Sequence, residues 1–291
     1  MKFKIFLSLL LFSTLILFSN IAISASPKTL VFSAIPDQDE TRLKQRFGDI
    51  AKYLEEKLGV PVKYVPVKSY AAVVTAFRNK QVQLAWFGGL SGVQARLKVP
   101  GSQAIAQGVE DPKFHTYIIA NHSTGLKASD EFPKGIAGKT FTFGSKGSTS
   151  GRLMPQYYIE KNMDKKVDKV FKRVGFSGNH SKTIALVQSG AYEVGAVNFK
   201  VWEKEVKEGK VDTNKVSLIW KTPAYPDYQW TIRGDADQEF GEGFTDKVKA
   251  ALLDLKDPEL LERFPRSGFI EAKNADYQPI LDTAKSIGII D

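Results

Sequence analysis

Apolar and polar positions along this chain switch repeatedly between two periods. Residues 29–35 are an apolar, β-branched and aromatic run that predicts a strand. Residues 41–58 then carry Leu43, Phe47, Ile50, Leu54 and Leu58 at helical spacing. Asp39 or Thr41 caps that helix and Gly59 ends it. Residues 60–67 read as a second strand. Ser69-Tyr70 opens a helix with Ala72, Val73, Ala76 and Phe77 on one face, and 82–87 is a third strand. Gly88-Gly89-Leu90-Ser91 follows at once, and 92–97 turns helical. Strands alternating with helices over short connections imply a largely parallel sheet covered by helices. Right-handed crossovers bring the loops to the carboxyl edge of such a sheet, where ligands bind. Tyr70, Phe87, Gly88 and Ser91 should line one crevice.

The rhythm then repeats. Residues 103–110 and 115–121 read as strands leaving the first unit, and 139–144 begins a second βα series. Strands are expected at 170–176, 191–198 and 217–222, with helices at 153–162, 183–189 and after Asn198. Tyr225-Pro226-Asp227-Tyr228 is an aromatic turn, after which 229–233 returns the chain toward the first unit. Residues 244–255 and 277–286 are amphipathic helices. Two βα units joined by two crossings make a hinged cleft, a known device for trapping solutes.

Gly147-Ser148-Thr149-Ser150-Gly151 sits where the 139–144 strand passes into the next helix. Helix N-termini present unpaired N–H groups and the positive end of the macrodipole. Hydroxyls added there suit a tetrahedral oxyanion. The plainer reading is an N-cap, but three adjacent hydroxyls exceed what one cap needs. No Lys follows Gly151, which excludes a P-loop, and position 149 is Thr rather than the Ser of a nucleophile elbow.

Residues 1–25 read as a secretory signal peptide. Lys2 and Lys4 precede a long apolar run, and Ala22-Ile23-Ser24-Ala25 offers a cleavage site; a retained anchor is the alternative. The chain has no cysteine, so about 265 mature residues must rely on core burial, and lipid anchoring through cysteine is excluded. The net charge is +9; removing Lys2 and Lys4 leaves +7, and export argues against nucleic acid as its partner. The lysines are scattered among apolar residues and read as solvated surface. No metal-ligand spacing occurs, and no cofactor is expected.

Ser69-Tyr70-Ala-Ala-Val, the run Gln83 to Ser91, Gly147 to Gly151, Gly178-Asn179-His180 and the run Gly190 to Asn198 together resemble the periplasmic phosphonate-binding proteins of ABC importers. The likeness extends over most of 28–265. It implies an α/β, two-lobed, type II-like binding-protein fold. Lobe 1 is expected at 26–115 and 232–291, and lobe 2 at 116–231. It also implies capture of phosphite or a small phosphonate and delivery to an inner-membrane permease by a monomer. By this resemblance Tyr70 donates its phenol; Ser148, Thr149 and Ser150 donate hydroxyls and N–H groups; and His180 donates a ring N–H. Phe87 stands where many members have Tyr, adding an apolar wall suited to P–H or P–CH3. Asn198 stands near where many have Asp; Asp227 then becomes the candidate acceptor, beside Tyr228, although its turn position gives it an equally ordinary role. Trp86 is expected in the core. Asp37, Asp39 and Glu40 are read as capping or solvated, with a role at the cleft mouth as the alternative, Ser91 and Asn179 as caps, and His115 and His122 as structural. The alternatives are a site for phosphate, selenate or sulfate, a sensory subunit, or an exported phosphoesterase. The last needs a base-activated Ser150, for which the sequence offers no orienting carboxylate.

Overall fold

The computed structural model describes residues 28–290, so the expected signal segment lies outside the described residues. Four strands open the chain: β1 (Leu30–Ala34), β2 (Val62–Tyr64), β3 (Leu84–Phe87) and β4 (Gln103–Gly108). Five follow in the middle: β5 (Thr116–Asn121), β6 (Thr140–Phe143), β7 (Arg173–Phe176), β8 (Val194–Asn198) and β9 (Val216–Lys221). The last two are β10 (Gln229–Ile232) and β11 (Phe269–Glu271).

These strands form two sheets, ordered β11-β4-β10-β3-β1-β2 and β7-β6-β8-β5-β9. In each, three strands run parallel: β2, β1 and β3 in the first, β7, β6 and β8 in the second. The rest are antiparallel, which corrects the expectation of largely parallel sheets. The reason is the double crossing. A strand that enters a sheet from the other lobe joins it against the direction of the βα units. Set side by side, β2-β1-β3-β10-β4 and β7-β6-β8-β5-β9 are the same order twice. The protein is thus a two-lobed α/β molecule.

The helices form where their residues allow. Asp39 caps Glu40–Leu58 by accepting a bond from Arg42 N at 2.9 Å. Leu43, Phe47, Ile50 and Leu54 lie on its buried face. Gly59, left-handed at φ 70°, ends it by donating to Glu55 O. Ser69 caps Tyr70–Arg78. After β6 the chain first makes a wide turn, Thr149–Leu153, in which Leu153 N donates five residues back to Ser148 O at 3.0 Å. Met154–Met163 then continues as regular helix. Wide turns of this kind gather at functional sites.

The crossings are residues 111–115 and 222–228. They run beside each other, with Phe114 and Tyr225 exchanging backbone bonds of 2.9 and 3.0 Å, and Asp227 N donating to Asp111 O at 3.0 Å. Gln229 pairs with Phe87 and Trp230 with Trp86 inside the first sheet. A lobe boundary between 231 and 232 therefore cuts β10 and moves ahead of Gln229. We propose lobes of 28–110 with 229–290, and 116–221, joined by these two strands. Among the described residues, no helix is long and apolar enough to cross a membrane.

Candidate functional site

The carboxyl ends of the six parallel strands face one another across the seam. Asp37 follows β1, Tyr70 follows β2, Gly88 follows β3, the hydroxyl run follows β6, His180 follows β7, and Asn198 ends β8. Glycine permits this convergence. A Cβ at Gly151 would stand 2.9 Å from Ser148 Oγ and 3.1 Å from His180 Cε1. One at Gly88 would stand 3.1 Å from Asp227 Oδ1 and 3.3 Å from Thr149 Oγ1.

The three hydroxyls have different duties. Ser148 Oγ accepts from Gly151 N at 2.9 Å, the cap that the plainer reading called for. Thr149 Oγ1 accepts from Leu90 N at 3.0 Å and stands beside the Asp227 carboxylate, binding lobe 2 to lobe 1. Ser150 Oγ is buried beside the Tyr225 phenol without a well-formed hydrogen bond. The Tyr70 phenol, beside Ser148, also has none, and burial drives its pKa far up, keeping it a neutral donor.

His180 is wholly buried. Its Nδ1 accepts from Asn198 N at 3.2 Å, which assigns the ring hydrogen to Nε2. Nε2 has no partner, and burial lowers the ring pKa to about 3, so the imidazole is neutral. Asn198 does not face the seam with a free amide. Its Oδ1 caps Phe199–Lys207 by accepting from Lys200 N and Val201 N, and its Nδ2 donates to Tyr228 Oη at 2.8 Å. Tyr228 Oη in turn donates to Asp37 Oδ2 at 3.1 Å, so the Tyr228 hydrogen is already used.

Two carboxylates complete the cluster. Asp227 Oδ1 accepts from Gly89 N at 2.8 Å while Oδ2 has no partner. Burial pushes its pKa up to about 7. Asp37 was read from the sequence as capping or solvated, with a place at the cleft mouth as the alternative. It is buried rather than solvated, its Oδ1 is unpartnered, and burial raises its pKa. The available signal was its place directly after a parallel strand. Phe87 is wholly buried, its ring edge-on to Phe77 at 5.6 Å within the lobe 1 core. Trp86 stacks on Tyr228, and Ser91 and Asn179 act as caps. Asp39 and Glu40 line a separate surface cavity of about 510 Å³ with Asn179 and Lys182.

The lobes are closed on one another. His180 N donates to Asp37 O at 3.0 Å, Arg42 grips Glu208 with two bonds, and Lys200 pairs with Glu110 at 3.3 Å. The arrangement can enclose a small anion with neutral donors from both sides. Among the described residues, no group of three or more His, Asp or Glu is placed to hold a metal.

A family model described as "ABC transporter, phosphonate, periplasmic substrate-binding protein" matches residues 32–277. A probable ABC transporter phosphite binding protein of Prochlorococcus marinus is 41% identical over all of this chain and 99% of its own length. The phosphonates-binding periplasmic protein of Escherichia coli is 28% identical, over 94% of this chain and 81% of its own. A solved structure from Prochlorococcus marinus in complex with methylphosphonate superposes with a TM-score of 0.86 at 43% identity. It covers 91% of this chain and 100% of that one. By the extent of these matches, the chain belongs to the family of periplasmic phosphonate-binding proteins of ABC transporters.

Proposed function

We propose that this protein captures phosphite or a small phosphonate such as methylphosphonate in the periplasm, by closing its lobes, and hands it to a permease. The observation that carries this reading is the set of buried, unpartnered polar atoms at the seam: Tyr70 Oη, Ser150 Oγ, His180 Nε2, Asp37 Oδ1 and Asp227 Oδ2. A buried polar atom without a partner is costly; a dehydrated oxyanion would accept from the three donors, Tyr70, Ser150 and His180, and a hydrogen carried on it would serve the carboxylates. Donors from lobe 2 (Ser150, His180) and lobe 1 (Tyr70) meet the same ligand, so binding and closure are one event. The Prochlorococcus marinus relative, described as phosphite binding and solved with methylphosphonate, supports the ligand class. Phe87 brings no phenol donor, its ring packing on Phe77 in the lobe 1 core, so the seam has one donor fewer for the fourth oxygen of phosphate.

Catalysis is a poor fit. With Nδ1 accepting a backbone N–H, His180 turns a hydrogen toward the seam and has no lone pair there to take the Ser150 proton. We read the mature protein as a monomer released by cleavage of residues 1–25. Calorimetric titration with phosphite, methylphosphonate, phosphate, sulfate and selenate tests the ligand reading. Phosphite and methylphosphonate should bind most tightly and sulfate scarcely at all; equal affinities for phosphate and phosphite would refute the missing-donor argument.

A further inference from the structure

Asp37 and Asp227 present the seam with one free oxygen each. The remaining oxygen of each is held, by Tyr228 Oη at 3.1 Å and by Gly89 N at 2.8 Å. Asp37 is bonded to Tyr228, the residue that follows Asp227, which brings both carboxylates to the same seam. Nearby positive charge is already committed. Arg266 makes bonds of 2.8 to 3.0 Å to both oxygens of buried Asp111. Arg46 donates to Arg263 O at 2.9 Å and to Gln38 Oε1. Three buried carboxylates (Asp37, Asp111, Asp227) thus face two guanidiniums (Arg46, Arg266) before any anion arrives. An oxyanion with no hydrogen would meet two acceptor oxygens with nothing to donate. One proton turns that repulsion into a charge-assisted hydrogen bond.

We propose that Asp37 and Asp227 make the cleft a proton-linked anion site, which holds its oxyanion together with one proton shared between a ligand oxygen and these carboxylates. The inference rests on the proposed function and adds Asp37 as a specificity-determining residue.

The other titratable neighbours stay fixed in the neutral range. Around Asp37 these are Arg46, Arg266, Tyr64, Tyr70 and Tyr228; around Asp227 they are Asp111, Arg266, Tyr225 and Tyr277, besides Tyr70 and Tyr228. Burial raises every one of these phenols and keeps His180 neutral. Asp111 is tied to Arg266. Asp227, pushed up to about 7, and Asp37, raised by burial, are left to exchange the proton with the ligand.

The test is titration calorimetry of the full mature protein with phosphite, in buffers of different ionisation enthalpy, from about pH 7 to about pH 9. Uptake of about one proton per ligand is expected at the upper end, with affinity falling about tenfold per pH unit. Asp37→Asn and Asp227→Asn, whose amides can donate, should each flatten that slope. Each should also narrow the preference for phosphite over sulfate at least about tenfold, since sulfate carries no proton in this range. Zero uptake with pH-independent affinity in the unmodified protein overturns the inference and leaves phosphite binding intact, and the proton count does not depend on either variant folding. Wild-type slopes in both variants overturn it as well. No binding of any phosphorus oxyanion removes both the inference and the function beneath it.

Discussion

Thr149→Val isolates the bond that ties the hydroxyl run to the opposite lobe. Valine keeps the shape of threonine and removes the oxygen that accepts from Leu90 N at 3.0 Å and stands beside the Asp227 carboxylate. Leu90 is the second residue of the helix Gly89–Lys98, so its N–H has no partner inside the helix. In an opened molecule water reaches that N–H whether residue 149 is Thr or Val. On closure the variant buries it unsatisfied, at a cost of about 1–3 kcal/mol. The cost falls on the closed state alone, so affinity should drop by about 5- to 150-fold. The thermal midpoint without ligand should scarcely move. Calorimetric titration with phosphite and a melting curve without ligand make the pair of measurements. Affinity within about twofold of wild type would refute a role in closure. A lowered midpoint with unchanged affinity would make Thr149 a folding residue instead.

Glu208→Gln weakens the two-bond grip of Arg42 across the seam. The pair is partly exposed, so binding should weaken by about 0.2–1 kcal/mol, and the difference from wild type should vanish at high salt; a salt-independent loss would contradict this. His180 ties stability to pH, because burial keeps the folded ring neutral down to about 3 while the unfolded ring protonates near 6.5. Its contribution is therefore complete above about 6.5 and shrinks by about 1.4 kcal/mol per pH unit as pH falls below that. Urea unfolding of His180→Gln should show a flatter acid limb than wild type, and parallel limbs would contradict the assignment. Arg266→Met leaves Asp111 buried and unpaired and should cost about 3–5 kcal/mol in urea unfolding, whereas Arg266→Met with Asp111→Leu should recover most of it. A loss below about 1 kcal/mol in the single variant would show that Asp111 simply takes up a proton.

The alternation of periods made both βα units and their double connection legible, because each strand and helix buries one face and must repeat at 2 or 3.6 residues. The antiparallel members were harder. Nothing local in Gln229–Ile232 says that it will lie between β3 and β4, since pairing partners far apart in sequence decide it. Short helices such as Pro258–Arg263 and the edge strand β11 escaped notice for the same reason. At the site, residue types and loop position pointed to the hydroxyl run, the family resemblance pointed to Tyr70 and His180, and Asp227 was read either as an acceptor or as a turn residue. They did not divide the labour among Ser148, Thr149 and Ser150, because a cap, a bridge and a free donor use the same side chain. Asp37 was read as solvated, since acidic residues just before a helix usually cap it; Asp39 does so here, two residues on.

The order in which the sheets are completed bears on how this chain matures. With the lobes proposed above, the second is an insertion at 116–221, and β3 and β4 remain without the strand between them until β10 is delivered. A chain emerging from a translocation channel amino end first would expose those two strand edges for more than the length of a whole lobe. Unpaired edges are templates for unwanted association. If residues 1–25 direct export as proposed, the first half of the protein is the part most dependent on protection on the way, and the last sixty or so residues to emerge, beginning with β10, end that dependence.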